Sequence, residues 1–275
     1  MQTLSFAKGH ATRNDFVILV DRENMMPVDD RTVRWLCDRR GGIGADGVLR
    51  AVRAEHIPEW QGDPGLWFMD YRNADGSVAE MCGNGLRLFV RYLLDEGLLG
   101  TDAIRIATRA GLREAWPYPD RRIKVSMGTA TISAEQTWIE SADRRYRADI
   151  VQVGNPHAVV HLDDRAELGA LDLLTAPTFD PAVYPSGVNI EFIVPAADDQ
   201  VAMRVFERGV GETQSCGTGV IASAVSHLRN QGKPAGVVTV TVPGGPLRAE
   251  ISPEQAYLSG PAVVVAQGRV ILPDF

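Results

Sequence analysis

FMDYRNADGSVAEMCGNG (68–85) and AMRVFERGVGETQSCGTG (202–219) fall on one another without a gap when the chain is shifted against itself by 134 residues. Each stretch reads as a strand, passes through a polar loop and closes on Cys-Gly-X-Gly. Each then opens a long segment, Gly83–Glu96 or Gly217–Asn230, whose apolar residues recur at helical spacing. Few residues are identical, so the repeat rests on the shared order of elements. Beyond the helices the match continues from TRAGLR (108–113) to PGGPLR (243–248), one residue out of step. Two pseudo-equivalent domains follow, each with one central helix. Residues 1–120 plus 263–275 are expected to form the domain that carries Cys82, and 121–262 the domain that carries Cys216. The join is placed near Tyr118–Arg122. The last strand, about Val263–Leu272, returns to the first domain because the two ends of such a chain often lie close together.

Working outward, strand signals dominate. Asp15–Asp21, Trp67–Arg72, Ala103–Thr108, Arg122–Met127, Asp149–Val153, Ala158–Leu162, Val188–Val194, Val201–Phe206 and Val237–Val242 are short and rich in Val, Ile and aromatics. Besides the two long helices only Thr32–Arg40 has helical spacing. Strands and helices do not alternate regularly, which disfavours a doubly wound parallel sheet. The expected class is α+β, with mainly antiparallel sheets and few helices.

The 275 residues, 45% apolar and 23% charged, have the balance of a globular chain. A net charge of -7 argues against nucleic acid as a partner. The longest apolar run near the start, Phe16–Val20, is too short for a membrane span or a signal-peptide core, so no membrane partner and a cytoplasmic location are expected. The three cysteines, Cys37, Cys82 and Cys216, form no CxxC pair and no HExxH occurs, so neither a disulfide framework nor a metal site is indicated.

Cys-Gly-X-Gly at a helix start carries chemistry. A cysteine there lies beside free backbone N–H groups and the positive end of the helix dipole, a field that favours thiolate and lowers the thiol from its usual value of about 8.5. The same N–H groups can hold a carboxylate, and glycine lets a ligand approach the backbone closely. Two such motifs across one cleft could place an α-carbon between two sulfurs. One thiolate would remove its proton while the other thiol supplies one to the opposite face, inverting the centre. A lone cysteine is most often a small buried hydrophobe, and Cys37, inside TVRWLCDRR, is expected to be one. Two at the same place in a repeat, each before Gly-X-Gly, are expected to be reagents.

RNADGSVAEMCGNGLR (72–87) and ERGVGETQSCGTG (207–219) resemble the two signature motifs of diaminopimelate epimerase. FAKGHATRNDFV (6–17), GGIGADGVLR (41–50), VGNPHAVV (153–160), SGVNIEF (186–192), VPGGPLRAE (242–250) and LSGPAVVVAQG (258–268) follow in that family's order, so the resemblance covers nearly the whole chain. It implies interconversion of LL- and meso-diaminopimelate, for lysine and peptidoglycan synthesis, with no cofactor: neither pyridoxal phosphate nor metal. It also implies two domains, each a barrel-like, mainly antiparallel sheet around a central helix, and a homodimer. Cys82 and Cys216 match the catalytic pair. Asn14, Asn73, Gly83, Asn84, Asn155, Asn189, Glu207, Arg208, Gly217 and Thr218 match the substrate-binding positions, and His157 a supporting one. The chemistry of Arg208 and Glu207 suits a distal carboxylate and ammonium.

Two departures stand out. Ala11 replaces a common Gly, which would disturb the loop before Asn14 if that position needs positive φ. Leu88 replaces a common non-catalytic Cys after the Arg of CGNG-X-R. Three other readings fit these residues less well. A proline or hydroxyproline racemase-like enzyme shares the two-base logic but typically has CGHG where this chain has Cys82-Gly83-Asn84-Gly85. A non-catalytic anion-binding or thiol redox protein would leave Glu207, Arg208 and the asparagines without a role. PhzF-like isomerases share the fold but lack the cysteine pair.

Overall fold

The structure, a computed structural model, describes residues 3–26, 28–142, 144–197 and 199–274. The chain divides into two compact units, Met1–Val125 with Pro261–Phe275, and Ser126–Gly260.

The first unit contains β1 (Thr3–Ala11), β2 (Asn14–Val20), α1 (Asp30–Cys37), β3 (Gly47–Arg53), β4 (Trp67–Asn73), α2 (Gly83–Asp95), β5 (Ile104–Thr108), β6 (Gly111–Pro117) and β7, which begins at Ile123 and ends at Gly128. The second contains β8 (Thr131–Ser141), β9 (Arg144–Gln152), β10 (Pro156–His161), α3 (Arg165–Ala170), β11 (Thr178–Phe179), β12 (Asn189–Ala197), β13 (Gln200–Glu207), β14 (Gly211–Thr213), α4 (Gly217–Asn230), β15 (Gly236–Val242), β16 (Gly245–Ile251) and β17 (Ala256–Gly260). The last strand, β18 (Val263–Ile271), pairs with β1.

Strands of the first unit lie in the order β18-β1-β2-β3-β4-β5-β6-β7, and those of the second in the order β8-β9-β10-β12-β13-β15-β16-β17. Both series run antiparallel, antiparallel, parallel, antiparallel, parallel, antiparallel, antiparallel. The pseudo-repeat is therefore a repeat of topology, and the fold is α+β with mainly antiparallel pairing. Strands contact α2 from β1, β18, β2, β3, β4 and β6, and contact α4 from β8, β9, β10, β12, β13, β15, β16 and β17. The sheet wraps its helix as expected. The two outer strands of each series do not pair with each other among the described residues, so the wrap stays open rather than closing as a barrel.

Register makes the equivalence residue-specific. Trp67 pairs with Ile106 and Val201 with Val240, both members moving by the same 134 positions. Thr108 pairs with Gly111 across one hairpin and Val242 with Gly245 across the other. The repeat thus holds its step through this hairpin. The one-residue slip read from TRAGLR and PGGPLR followed the identity of leucine and arginine, whereas the turns superpose.

Burial explains why the inner strands read as apolar runs. Phe16, Val17, Ile18 and Leu19 of β2 are all inaccessible to solvent. Val17 and Leu19 pack with Val33, Leu36 and Cys37 of α1, while Phe16 reaches Gly85 of α2. A strand covered on both faces has no polar side to alternate. Helix α1 starts two residues before the sequence pattern because Asp29 caps it by accepting from the Thr32 amide, and it stops at Cys37 rather than Arg40. Cys37 is core, as expected, and burial pushes its thiol up to about 12.

Strand β1 crosses α2 at Gly9. A Cβ there would lie 2.6 Å from Leu88 Cδ1 and 2.7 Å from the Val263 carbonyl oxygen, which belongs to β18 and cannot rotate away. Leu88 therefore fills space that a smaller residue would leave open. Gly9→Ala is expected to lose about 1–3 kcal/mol in urea denaturation through overpacking; unchanged stability would show that helix and strand are free to part.

Candidate active site

Cys82 is the N-cap of α2, in extended conformation, and its sulfur accepts from the Gly85 amide at 3.3 Å. A two-residue turn brings Asn14 to it. Thr12 and Arg13 both have positive φ, 49° and 63°, between Ala11 and Asn14, which are paired. Such a turn matches strand twist but favours Asn-Gly, so Thr-Arg is held there at a cost. Ala11 itself is ordinary buried strand, so the doubt that its lack of a glycine raised does not apply.

From this turn Asn14 Oδ1 lies 3.8 Å from the Cys82 sulfur and accepts from Asn84 Nδ2 at 3.2 Å. Asn14 Nδ2 donates to Asp46 at 2.8 Å. Behind them lies Arg87, wholly buried. It donates to Asn84 Oδ1 at 2.9 Å, to the Thr12 hydroxyl at 3.1 Å and to the Gly83 carbonyl at 3.2 Å. Burial pushes its guanidinium down to about 10, and the nearby Cys82 opposes that shift.

Cys216 is the N-cap of α4 and is itself buried. Its sulfur lies 3.5 Å from the Thr218 hydroxyl. Glu207, at the end of β13, accepts from Thr213 Oγ1 at 2.5 Å and is hydrogen-bonded to Cys216. Burial raises the Glu207 carboxyl. Deeper lies a fully buried pair: His157 Nδ1 is 2.8 Å from Glu191 Oε1, while His157 Nε2 is 3.0 Å from Asn155 Oδ1. The Tyr184 hydroxyl donates to the His157 carbonyl at 3.2 Å. Asn189 Oδ1 accepts from the Arg208 amide at 2.9 Å, and Arg208 Nη1 donates to the Ser186 carbonyl at 3.3 Å.

The thiol of Cys216 is raised well above its ordinary value by burial, then by Glu207 and Glu191. The Thr218 and Gly219 hydrogen bonds pull the other way and are outweighed. At Cys216, desolvation and two carboxylates thus oppose the thiolate-favouring field of the helix N-terminus.

Within each unit the structure brings most of the expected residues together. Asn14, Asn84 and Gly83 gather at Cys82. Asn155, His157, Glu207, Gly217 and Thr218 gather at Cys216, with Asn189 anchoring Arg208. Asn73 is the exception, engaged with the Tyr71 hydroxyl at 2.7 Å and Ser77 Oγ at 3.0 Å. Sequence reading missed Thr12, Arg87 and Glu191. Arg87 and Glu191 could have been found, because each puts a charge where the helical or strand pattern requires a buried side chain. Among the described residues, no group of three or more His, Cys, Asp or Glu is arranged to hold a metal ion.

The fold defines a class. Over 99% of this chain the structure resembles a Bacillus anthracis phenazine biosynthesis protein of the PhzF family, covering 100% of that chain, with TM-score 0.72 and 14% identity. It also resembles a hydroxyproline epimerase from Agrobacterium vitis, solved with bound trans-4-hydroxy-L-proline, at TM-score 0.68 and 16% identity, covering 99% of this chain and 93% of that one. Sequence is more specific. The diaminopimelate epimerase family model matches residues 6–133 and 150–265. Diaminopimelate epimerases of Corynebacterium glutamicum (44% identical over 98% of both chains) and Streptomyces coelicolor (45% identical over 97% of this chain and 95% of the relative) align nearly end to end. The chain belongs to the diaminopimelate epimerase family, and it is an isomerase.

The second glycine of each motif is set by packing. At Gly219 a Cβ would lie 2.5 Å from Glu191 Oε1, and at Gly85 3.1 Å from Leu49 Cδ2. Gly219→Ala is expected to displace Glu191 and cost about 1–3 kcal/mol in thermal or urea unfolding. Gly85→Ala, facing a leucine methyl that can rotate, should cost less; the reverse order would contradict this packing.

Proposed function

We propose that this chain epimerises LL-diaminopimelate to meso-diaminopimelate without a cofactor, Cys82 and Cys216 serving opposite faces of the α-carbon. The observation that carries the reading is the pair of cysteine N-caps at equivalent positions in a chain of this family. Relatives named diaminopimelate epimerase support the substrate. An α-hydrogen of an amino acid is a very weak acid, so charge developing on the carbon must meet fixed donors. The amides opening α2 and α4 can supply them to the substrate carboxylate. Asn14, Asn84 and Thr218 border the sulfurs, and Gly83 and Gly217 open the helices. Asn155 adds an amide group to the binding shell, and Asn73 would join it by exchanging its Tyr71 and Ser77 partners for substrate.

Arg208, held through its amide by Asn189, presents a planar fork suited to the distal carboxylate. Glu207 can accept from an ammonium. His157 supports the Cys216 side by fixing Asn155 and Glu191. The product would serve lysine and peptidoglycan synthesis in the cytoplasm, and the enzyme would work as a homodimer. No described helix is long and apolar enough to cross a membrane.

Incubation with meso-diaminopimelate in deuterated water should place deuterium on the α-carbon. Wash-in from proline instead would favour a racemase, and none from either a binding protein. Cys82→Ser and Cys216→Ser should each lower epimerisation about 10²–10⁴-fold with the fold intact, because a hydroxyl is a far weaker acid than a thiol. Arg208→Lys should lower kcat/KM about 10–100-fold by misplacing the remote end; wild-type activity in that variant would remove Arg208 from the site.

A further inference from the structure

The two units are alike in topology and opposite in buried charge. Strand register fixes the equivalences. Leu49 pairs with Tyr71, and Glu191 with Val205, where Tyr71 and Val205 are 134 positions apart; Leu49 and Glu191 therefore occupy the same place. Phe16 pairs with Gly47, and His157 with Asn189, so Phe16 and His157 are equivalent too. On the helices, Arg87 corresponds to Ile221, five residues beyond each cysteine. All six side chains are fully buried. Around Cys82 the set is Phe16, Leu49 and the cation Arg87. Around Cys216 it is His157, the carboxylate Glu191 and Ile221.

Each charge faces the start of its helix. Arg87 is tied to Gly83 and Asn84, and among the described residues it forms no ion pair with a carboxylate. Glu191 Oε1 is so close to Gly219 that only glycine fits, and its Oε2 makes no hydrogen bond to a described residue. Other charges on the Cys82 side include Asp46, bonded to Asn14, and the Asp15, Lys8 and Arg39 that cluster with it. That set holds two cations and two carboxylates and is neutral overall. Near Cys216 two carboxylates, Glu191 and Glu207, face one imidazole, His157.

We propose that this exchange of buried charge makes the two thiols unequal: Arg87 holds Cys82 as thiolate and Glu191 holds Cys216 as thiol, so that the free enzyme carries one proton on the pair, at Cys216. A two-base epimerase needs one base and one acid at the moment substrate binds. Two equal thiols would spend part of their population both protonated or both ionised, and neither form can turn over. Arg87 and Glu191 act through the sulfurs and are positioning residues. The inference deepens the two-thiol reading above and rests on it.

The test is the pH dependence of iodoacetamide labelling at each thiol of the intact enzyme, read by peptide mass spectrometry. Each rate is normalised to its own alkaline plateau, so that accessibility cancels. Cys82 should reach half its plateau at least about one pH unit below Cys216, a tenfold difference in thiolate fraction at intermediate pH. Arg87→Met should move the Cys82 midpoint up and leave that of Cys216. Glu191→Gln, nearly isosteric and so expected to fold, should move the Cys216 midpoint down, whereas Arg87→Lys should keep the Cys82 midpoint low. Equal midpoints in the wild type, the opposite order, or a Glu191→Gln variant with an unmoved Cys216 would overturn the proposal. Labelling needs no turnover, so absent deuterium wash-in from diaminopimelate would reject the substrate while leaving this result standing.

Discussion

Everything at the two sites depends on a close contact that glycine allows, between the first turn of each central helix and the strand beneath it. Gly85 seats against Leu49, and Gly219 against Glu191. Because no Cβ intervenes, the helix lies close on the sheet and its N-cap is held at a fixed height. Cysteine is a poor N-cap by propensity; serine, threonine, aspartate or asparagine would satisfy the free amides better. The Cys82 sulfur nonetheless accepts from Gly85 at 3.3 Å. A cap chosen against propensity, at both copies of a repeat, is what selection for chemistry looks like in a fold that could have been more stable.

Topology is conserved between the units down to the sense of every strand pair, but the buried side chains are not. A duplicated scaffold gives two helix N-termini of equal geometry. Inverting a stereocentre is a task in which the two must act differently at each instant. Exchanging Leu49 for Glu191 and Ile221 for Arg87 changes charge without changing backbone, because each pair lies on the same strand or helix position in register. Taking an ion out of water costs several kcal/mol that its partners must offset, so neither substitution is explained by stability alone.

Much of this was legible in the chain. The gapless alignment of 68–85 with 202–219 found β4, β13, the loops, both cysteines and both long helices. Other elements were not legible. Strand β1 carries Lys8, Gly9 and His10, a polar sequence whose local hairpin with β2 is only one of its two partners; the other, β18, comes from the far end of the chain, where no local window reaches. Strands β8 and β16 have exposed faces with weak alternation and are fixed by their neighbours. What opposes a thiolate at Cys216 is hidden for a similar reason: the helix dipole is visible in sequence, while Glu191, a strand residue, becomes a neighbour only through folding.

The turn at Thr12-Arg13 shows how such non-local needs are met locally. Two left-handed residues without glycine cost of order 1–2 kcal/mol each. Asn-Gly would relieve most of that cost, yet position 12 carries threonine and its hydroxyl. That hydroxyl accepts from the buried Arg87 at 3.1 Å, and the turn it sits in delivers Asn14 to the sulfur of Cys82. Strain at the hairpin is thus coupled to the cation behind the thiol. Arg87 needs acceptors because it has no carboxylate, and a carboxylate there would cancel the charge it brings. Threonine's neutral oxygen gives the guanidinium one acceptor and leaves its field directed at the helix start, so the turn residue supplies an acceptor as well as a bend.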